Sequence, residues 1–132
     1  IVASIDVKKN IFGKKSIYKH SAKSTLNITA KEMAKRVEEA GAGEIIINSV
    51  DNDGMMNGYD LDLIREVTDT VTIPVVACGG AGSLKHFKEA ITLGRASAVA
   101  AGSLFVFHGP HKAVLINYPD QIVLNQILKN GE

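Results

Sequence analysis

The sequence predicts an α/β fold in which strands and helices alternate around a parallel sheet. Four apolar runs of strand length, within residues 1–6, 45–51, 73–80 and 98–103, are separated by segments with helical periodicity. A continuous run such as Ile45-Ile46-Ile47 is typical of a strand that is buried on both faces. Each run ends in an acid, a glycine or a small hydroxyl residue. This pattern predicts polar groups at the carboxyl edge of the sheet, where such folds bind their ligands.

The first unit is predicted to be a strand, a β-hairpin and a helix. The strand covers residues 1–7, and residues 8–20 form a hairpin that turns near residues 10–13. The polar residues 21–27 indicate a loop. Thr29 and Glu32 have the spacing of a capping box, which starts a helix that Gly41 is placed to end.

The next three units repeat the strand-then-helix order. Asp60 is placed to cap the second helix, Pro74 opens the third strand, and Ser83 is placed to cap the third helix. Residues 96–104 form the fourth strand, and a closing helix follows residue 119. Four such units are half of a (β/α)8 TIM barrel, and they also suffice for a small open sheet. Because Ile1 opens directly on a core strand, we expect that the N-terminal part of a longer protein is missing.

The composition is typical of a globular protein and excludes several classes of function. Of 132 residues, 45% are hydrophobic and 22% charged, no apolar run spans a membrane, and a net charge of +1 gives no field that would recruit nucleic acid. The single cysteine, Cys78, agrees with a reducing, cytoplasmic location, and we expect it to be a packed core thiol. Five lysines indicate either a solvated hairpin face or a patch that binds an anionic substrate or a partner: Lys8, Lys9, Lys14, Lys15 and Lys19.

Two turns of small residues are the candidate anion site. Gly79-Gly80-Ala81-Gly82-Ser83 joins a strand end to a helix start, where backbone N–H groups and the helix N-terminus favour an anion. Ala101-Gly102-Ser103 places a second such turn in the next unit. Loops after the last two strands of a barrel form a recurrent phosphate site. The alternative is that both turns need glycine only for their own geometry.

Carboxylates at strand ends are the candidate acid/base groups. Asp6 follows five residues of predicted buried strand, and it can transfer a proton if burial or a neighbour tunes it. The alternative is a carboxylate that Lys8 or a backbone N–H satisfies. Asp51 ends the next strand, whereas Asp53 is typical of a structural turn. No metal or cofactor is expected. Three histidines are interpreted as surface or loop residues, because their spacing does not suggest a metal site: His86, His108 and His111.

Five motifs resemble the cyclase subunit of imidazole glycerol phosphate synthase, and their order and spacing make the resemblance specific. The resemblance covers about residues 1–107 and lies in the C-terminal half of that family's barrel. It implies that residues 1–132 form the C-terminal half of a TIM-barrel cyclase domain whose N-terminal half is absent from this chain. The motifs are Ala3-Ser-Ile-Asp-Val-Lys8, Gly43-Glu-Ile-Ile-Ile-Asn-Ser-Val-Asp-Asn-Asp-Gly54, Gly58-Tyr-Asp60, Ala77-Cys-Gly-Gly-Ala-Gly82 and Ala98-Val-Ala-Ala-Gly-Ser103.

The resemblance also implies a function. The full enzyme would take ammonia from a glutaminase partner through the barrel interior. It would combine the ammonia with a phosphorylated ribulosyl aminoimidazole-carboxamide nucleotide, giving imidazole glycerol phosphate and a purine precursor in histidine biosynthesis. Asp6 would be one of two catalytic aspartates, the other lying on the first strand of the missing half, and Asp51 would be an acid near the substrate. The groups implied to hold a phosphate are Gly80, Ala81, Gly102 and Ser103, and Ser21 matches a hydroxyl near the substrate.

Two departures from the family keep an alternative open. Asp51-Asn-Asp-Gly-Met55 stands where the family usually has Asp-Arg-Asp-Gly-Thr. Residues 107–119 resemble a paralogous branch that pairs with a glutaminase and an amidotransferase to put acetamidino groups on surface-polysaccharide sugars. The alternative is an ammonia-handling barrel of that branch, or a catalytically idle half-barrel that serves in assembly. Since four strands cannot close a barrel, we expect a homodimer or association with the missing half.

Overall fold

A computed structural model describes residues 1–129 of the chain and contains a mixed sheet of six strands. The strands of this sheet are β1 (Val2–Lys9), β2 (Lys15–Lys19), β3 (Ser24–Leu26), β4 (Glu44–Ser49), β5 (Val75–Cys78) and β6 (Ala98–Val99). Their order across the sheet is β3-β2-β1-β4-β5-β6. The neighbours from β1 to β6 pair in parallel, and β2 and β3 add an antiparallel hairpin to the free edge of β1.

Helices alternate with the parallel strands. They are α1 (Ala30–Glu39), α2 (Leu61–Thr68), α3 (Leu84–Thr92), the short α4 (Ser103–Val106) and α5 (Gln121–Lys129), with a small hairpin of β7 (Phe107–His108) and β8 (Ala113–Val114) before the last one. The prediction of an α/β half-barrel with four β/α units and a hairpin after the first strand is confirmed. Within residues 1–129, no helix has the length and apolar character needed to cross a membrane.

Two predictions of local structure were wrong. The predicted loop at residues 21–27 contains a 3-10 turn and then β3, because Thr25 pairs with Tyr18 on the hairpin and extends the sheet. The predicted strand at residues 96–104 shortens to the two residues of β6. β6 has one neighbour in this sheet, and the chain turns at Gly102 into α4.

Two of the three predicted helix caps are confirmed. The Thr29 hydroxyl accepts a hydrogen bond from the Glu32 N–H, and the Glu32 carboxylate accepts one from the Thr29 N–H, which completes the predicted capping box. Asp60 accepts a hydrogen bond from the Leu63 N–H and so caps α2. Ser83 stands at the N-cap position of α3, but its side chain makes no capping hydrogen bond.

The core lies between the helices and one face of the sheet. Ile45 and Ile47 on β4 are almost fully buried, and their neighbours on β1 and β5 share that core. Ile46, which points to the opposite face, is only partly buried. The prediction that this run is buried on both faces was wrong for this chain, because its helices cover one face only. The uncovered face is the one that would line the interior of a closed barrel.

Asp60 ties the early hairpin to α2. Its carboxylate lies 2.7 Å from the Lys15 ammonium and 3.2 Å from that of Lys9, and the side chain is only 7% exposed. The Lys9 contact is an ion pair without hydrogen-bond alignment, since that carboxylate oxygen has no hydrogen-bond partner among the described residues. Two of the five clustered lysines therefore fasten the hairpin to the rest of the fold.

We expect replacement of Asp60 by alanine to lower the free energy of unfolding by about 1 kcal/mol or more, since a helix cap and two ion pairs are lost. Burial alone would raise the pKa of the Asp60 carboxyl, but hydrogen bonds from Lys15 and the Leu63 N–H hold it below the ordinary value of 3.8. The charged form therefore stabilises the fold above pH 3.8, and this stability is lost as the pH falls below that value.

Urea denaturation at neutral pH and in acid measures both effects. Asp60→Asn keeps the cap and should show the loss of charge alone. Asp62→Ala, which removes an exposed carboxylate from the same helix, is the matched control. Equal stability of Asp60→Ala and Asp62→Ala at neutral pH would contradict the structural role of Asp60.

Candidate functional site

The register of the parallel strands brings three polar side chains into one row. Asp6 on β1 lies opposite Asn48 on β4, and Asn48 lies opposite Cys78 on β5. Because side chains alternate along a strand, these three residues point away from the helix-covered face that buries Ile5 and Ile47. They therefore stand at the carboxyl ends of the strands, on the open face of the half-barrel.

Both carboxylate oxygens of Asp6 have partners. The Asn48 side-chain amide donates a hydrogen bond of 2.8 Å to one oxygen, and the His20 Nε2 atom lies 3.4 Å from the other. The alternative of satisfaction by Lys8 is wrong, since the Lys8 ammonium lies over the ring of Tyr18 at 5.2 Å from its centroid. The Asp6 side chain is 23% exposed and so remains accessible from the open face.

The two small-residue turns face each other across one narrow cleft. The residues that line it are Asp53, Gly54, Cys78, Gly79, Gly80, Ala81, Ala100, Ala101, Gly102 and Ser103. All four residues predicted to hold a phosphate are among them. Within residues 1–129, the backbone N–H groups of Gly80, Ala81, Gly102 and Ser103 donate to no protein acceptor. These four N–H groups therefore have no acceptor among the described residues.

Gly80 is required by the packing of the chain itself. Its φ angle is +113°, and an added Cβ would collide with the carbonyl oxygen of Gly58. The Gly58 N–H donates to the Gly80 carbonyl at 2.8 Å, so the two backbones touch directly. The structural explanation for glycine therefore holds at position 80.

Gly102 is different, because its backbone conformation does not require glycine. Its φ angle is −121°, and no atom lies within 4 Å of the place where a Cβ would stand. The missing side chain leaves open space beside the cleft. The structural explanation for glycine therefore fails at position 102, which favours the anion-binding interpretation for this turn.

Tyr59 fastens the loop before α2 to the Gly102 turn of the cleft. Its buried hydroxyl donates a hydrogen bond of 2.8 Å to the carbonyl oxygen of Ala100, at the start of the Gly102 turn. Burial, with a smaller contribution from Cys78, raises the pKa of the Tyr59 hydroxyl well above its ordinary value of 10.0. The hydroxyl therefore keeps its proton and remains a donor at neutral pH.

Asp51 and Ser21 lie outside the cleft, whereas Asp53 lines it. Asp51 is exposed and accepts a hydrogen bond of 2.7 Å from the Lys9 N–H, so it fastens the end of β1 and does not line the cleft. Ser21 is exposed in the 3-10 turn and also lies outside the cleft lining. Asp53, expected to be structural only, lies on the cleft wall.

Cys78 and His86 differ from their sequence interpretations. Cys78 is half-buried and lines the cleft, so it is not a fully packed core thiol. Burial and then the Asp53 carboxylate raise the pKa of the Cys78 thiol, which keeps it neutral. His86 is half-buried in α3, and its Nδ1 accepts a hydrogen bond of 3.0 Å from the Gly82 N–H. It therefore shapes the Gly82 turn and is not a surface residue.

Sequence reasoning missed His20 and Asn48, the two partners of Asp6. Asn48 sits inside an apolar run, and His20 lies in a segment with no recognisable motif. Only the pairing of β4 with β1 and the path of the hairpin bring them to the carboxylate. In the described part of the chain, no cluster of three or more histidine, cysteine or acidic residues has the arrangement of a metal site.

The chain is similar in sequence to a known family and to several curated proteins. Residues 1–111 match the family described as "Histidine biosynthesis protein". The chain is 46% identical over 120 residues to a putative imidazole glycerol phosphate synthase subunit of Pseudomonas aeruginosa, covering 91% of this chain and 48% of that protein. Identity is 42% over 122 residues to a putative imidazole glycerol phosphate synthase subunit HisF of Leptospira interrogans, covering 92% and 48% of the two chains.

A third relative, the imidazole glycerol phosphate synthase subunit HisF of Prochlorococcus marinus, is 47% identical over 106 residues, which are 79% of this chain and 41% of that protein. The chain thus spans about half the length of the curated relatives it matches. The family match covers all four parallel strands and every residue that lines the cleft. On this evidence, the chain belongs to the histidine biosynthesis protein family.

Proposed function

We propose that this chain is the C-terminal half of the cyclase subunit of imidazole glycerol phosphate synthase, a lyase/cyclase of histidine biosynthesis in the cytoplasm. The observation that carries the proposal is the placement of Asp6 and the glycine cleft at the carboxyl edge of one half-barrel, in a chain whose relatives bear that enzyme's name. The missing N-terminal half would supply the other four β/α units.

In the full barrel, the substrate is a phosphorylated ribulosyl aminoimidazole-carboxamide nucleotide, and a glutaminase partner supplies ammonia. Asp6 moves a proton at the reacting centre, since it is the carboxylate that faces the barrel interior with both oxygens held in place. No cofactor takes part in this proposal.

The cleft binds one phosphate of the substrate through backbone N–H groups. Hydrogen bonds to a charged acceptor contribute about 1.5–3 kcal/mol each. The exposed Asp53 carboxylate on the cleft wall opposes the anion. Two unit charges 4 Å apart in water repel by only about 1 kcal/mol. The four N–H groups therefore outweigh the carboxylate.

Gly102→Val should weaken phosphate binding at least tenfold, because a branched side chain would occupy the open space beside the cleft. A tenfold loss corresponds to about 1.4 kcal/mol. Calorimetry with inorganic phosphate and with a phosphate-bearing ligand measures it. Gly80 is unsuitable for this test, since any side chain there strikes Gly58 and disturbs the fold.

Gly43→Val is the matched control for Gly102→Val. Gly43 lies at the opposite edge of the sheet, and a Cβ there makes only an ordinary contact of 3.8 Å. The control should bind phosphate as the wild type does. Unchanged affinity in Gly102→Val would place the phosphate site elsewhere.

Asp6→Asn should lower kcat of the full-length barrel by about 10²–10⁴-fold, because the amide keeps the shape of the carboxylate but cannot titrate. KM should change little. Turnover is measured with ammonium salt as the ammonia source, which removes any dependence on the glutaminase. Asp62→Asn, on the exposed side of α2, is the control and should retain full activity.

Wild-type turnover in Asp6→Asn would make Asp6 a structural carboxylate. Absence of turnover in the wild-type barrel itself would instead favour the idle half-barrel that serves in assembly.

The isolated chain should form a homodimer or a larger assembly. Its open sheet face presents the partly buried Ile46 and Val76 and the exposed Ala98 in neighbouring register positions. A second copy would cover this face, as the missing half does in the full barrel. Sedimentation equilibrium of the 132-residue chain at micromolar concentration tests it. A compact monomer would show that the open face is stable in water.

A further inference from the structure

Asp6 is held from two sides by residues that no strand-end motif contains. Asn48 donates to one carboxylate oxygen at 2.8 Å, and His20 approaches the other at 3.4 Å. The first contact comes from within the sheet and the second from the turn that follows β2. The hydrogen bond and the His20 contact together restrain the orientation of the carboxylate relative to the open face.

We propose that Asn48 and His20 are positioning residues for Asp6, which orient its carboxylate for proton transfer; this rests on the function proposed above. Neither residue needs to touch the substrate. Asn48 donates a hydrogen bond to one oxygen, and the His20 imidazole lies 3.4 Å from the other, so the pair restrains the rotation of the carboxyl group.

Asn48 can present only its amide nitrogen to Asp6. Its side-chain oxygen lies against Gly79, where an added Cβ would stand 2.5 Å away, and this oxygen is buried without a hydrogen-bond partner among the described residues. A buried polar atom without a partner costs stability and calls for an explanation. Positioning of Asp6 by the other end of the same amide provides that explanation.

His20 is held in place by an aromatic contact. The rings of Tyr18 and His20 meet edge to face, with centroids 4.7 Å apart and an interplanar angle of 82°. The imidazole is 64% exposed, so it contacts Asp6 from the solvent side. The other titratable groups near the pair are Lys8 on β1, Tyr18 on β2 and Cys78 on β5.

Carbon-13 NMR of the 132-residue chain tests the contact without any assay of turnover. The chemical shift of the Asp6 carboxyl carbon should change in His20→Gln at constant pH and stay unchanged in His111→Gln, an exposed histidine of the tail. A carboxyl shift in His20→Gln equal to that of the wild type would overturn the role of His20.

Kinetics of the full-length barrel test positioning. His20→Ala and Asn48→Asp should each lower kcat by about ten- to a hundredfold, the range seen when groups that orient a metal ligand are removed. KM and the affinity for inorganic phosphate should stay within about twofold of the wild type. His20→Gln, which restores a neutral donor, should recover part of the loss, and Asn125→Asp on the exposed face of α5 should have no effect.

The possible results separate the two proposals. A wild-type barrel without turnover defeats the proposed function, and the NMR experiment then still decides whether His20 and Asp6 are coupled. A fall in phosphate affinity that matches the fall in kcat, or no recovery in His20→Gln, would mean that the substitutions disturb the fold and that positioning is wrong.

Discussion

The parallel register of β1, β4 and β5 determines which side chains meet at the candidate site. Asp6 pairs with Asn48, and Asn48 pairs with Cys78, because the strands are aligned with the apolar side chains facing the helices. A slip by one residue would turn Asp6 into the core and bring Val7 to the open face. Burying a carboxylate and exposing a valine is unfavourable on both counts. The hydrophobic core thus fixes the geometry of the polar site.

The loop between β4 and α2 carries the second constraint, since it fixes the two turns of the cleft. Gly58 bonds to the backbone of Gly80, and Tyr59 bonds to that of Ala100. Asn52, which stands where the resembling family usually has arginine, donates a hydrogen bond of 3.1 Å to the Gly58 carbonyl. The asparagine therefore has a structural task of its own in this loop. The cleft does not depend on a guanidinium for its shape.

The sequence predicted those parts of the fold and of the site that depend on residues lying close together in the sequence. Gly80 and Gly102 stand within three residues of the ends of β5 and β6, so a short motif and the alternation of strands and helices were enough to place them in one cleft. Asn48 lies 42 positions from Asp6, and His20 reaches it only through the path of the hairpin. β3 was missed because its side chains are exposed, so no buried face leaves an apolar pattern. Such contacts and edges depend on pairing between distant segments.

The proposed catalytic role and the proposed assembly would use the same surface of this chain. The open face carries Asp6 together with apolar residues such as Ile46 and Val76, so a second half-barrel that buries the apolar residues also removes water from around the carboxylate. Electrostatic interactions strengthen as water is excluded, and the contacts of Asp6 with Asn48 and His20 would strengthen with them. In the isolated chain the same carboxylate stays in contact with solvent. The orientation of Asp6 is thus restrained within this chain, whereas the low dielectric in which it would act would come from the proposed partner half.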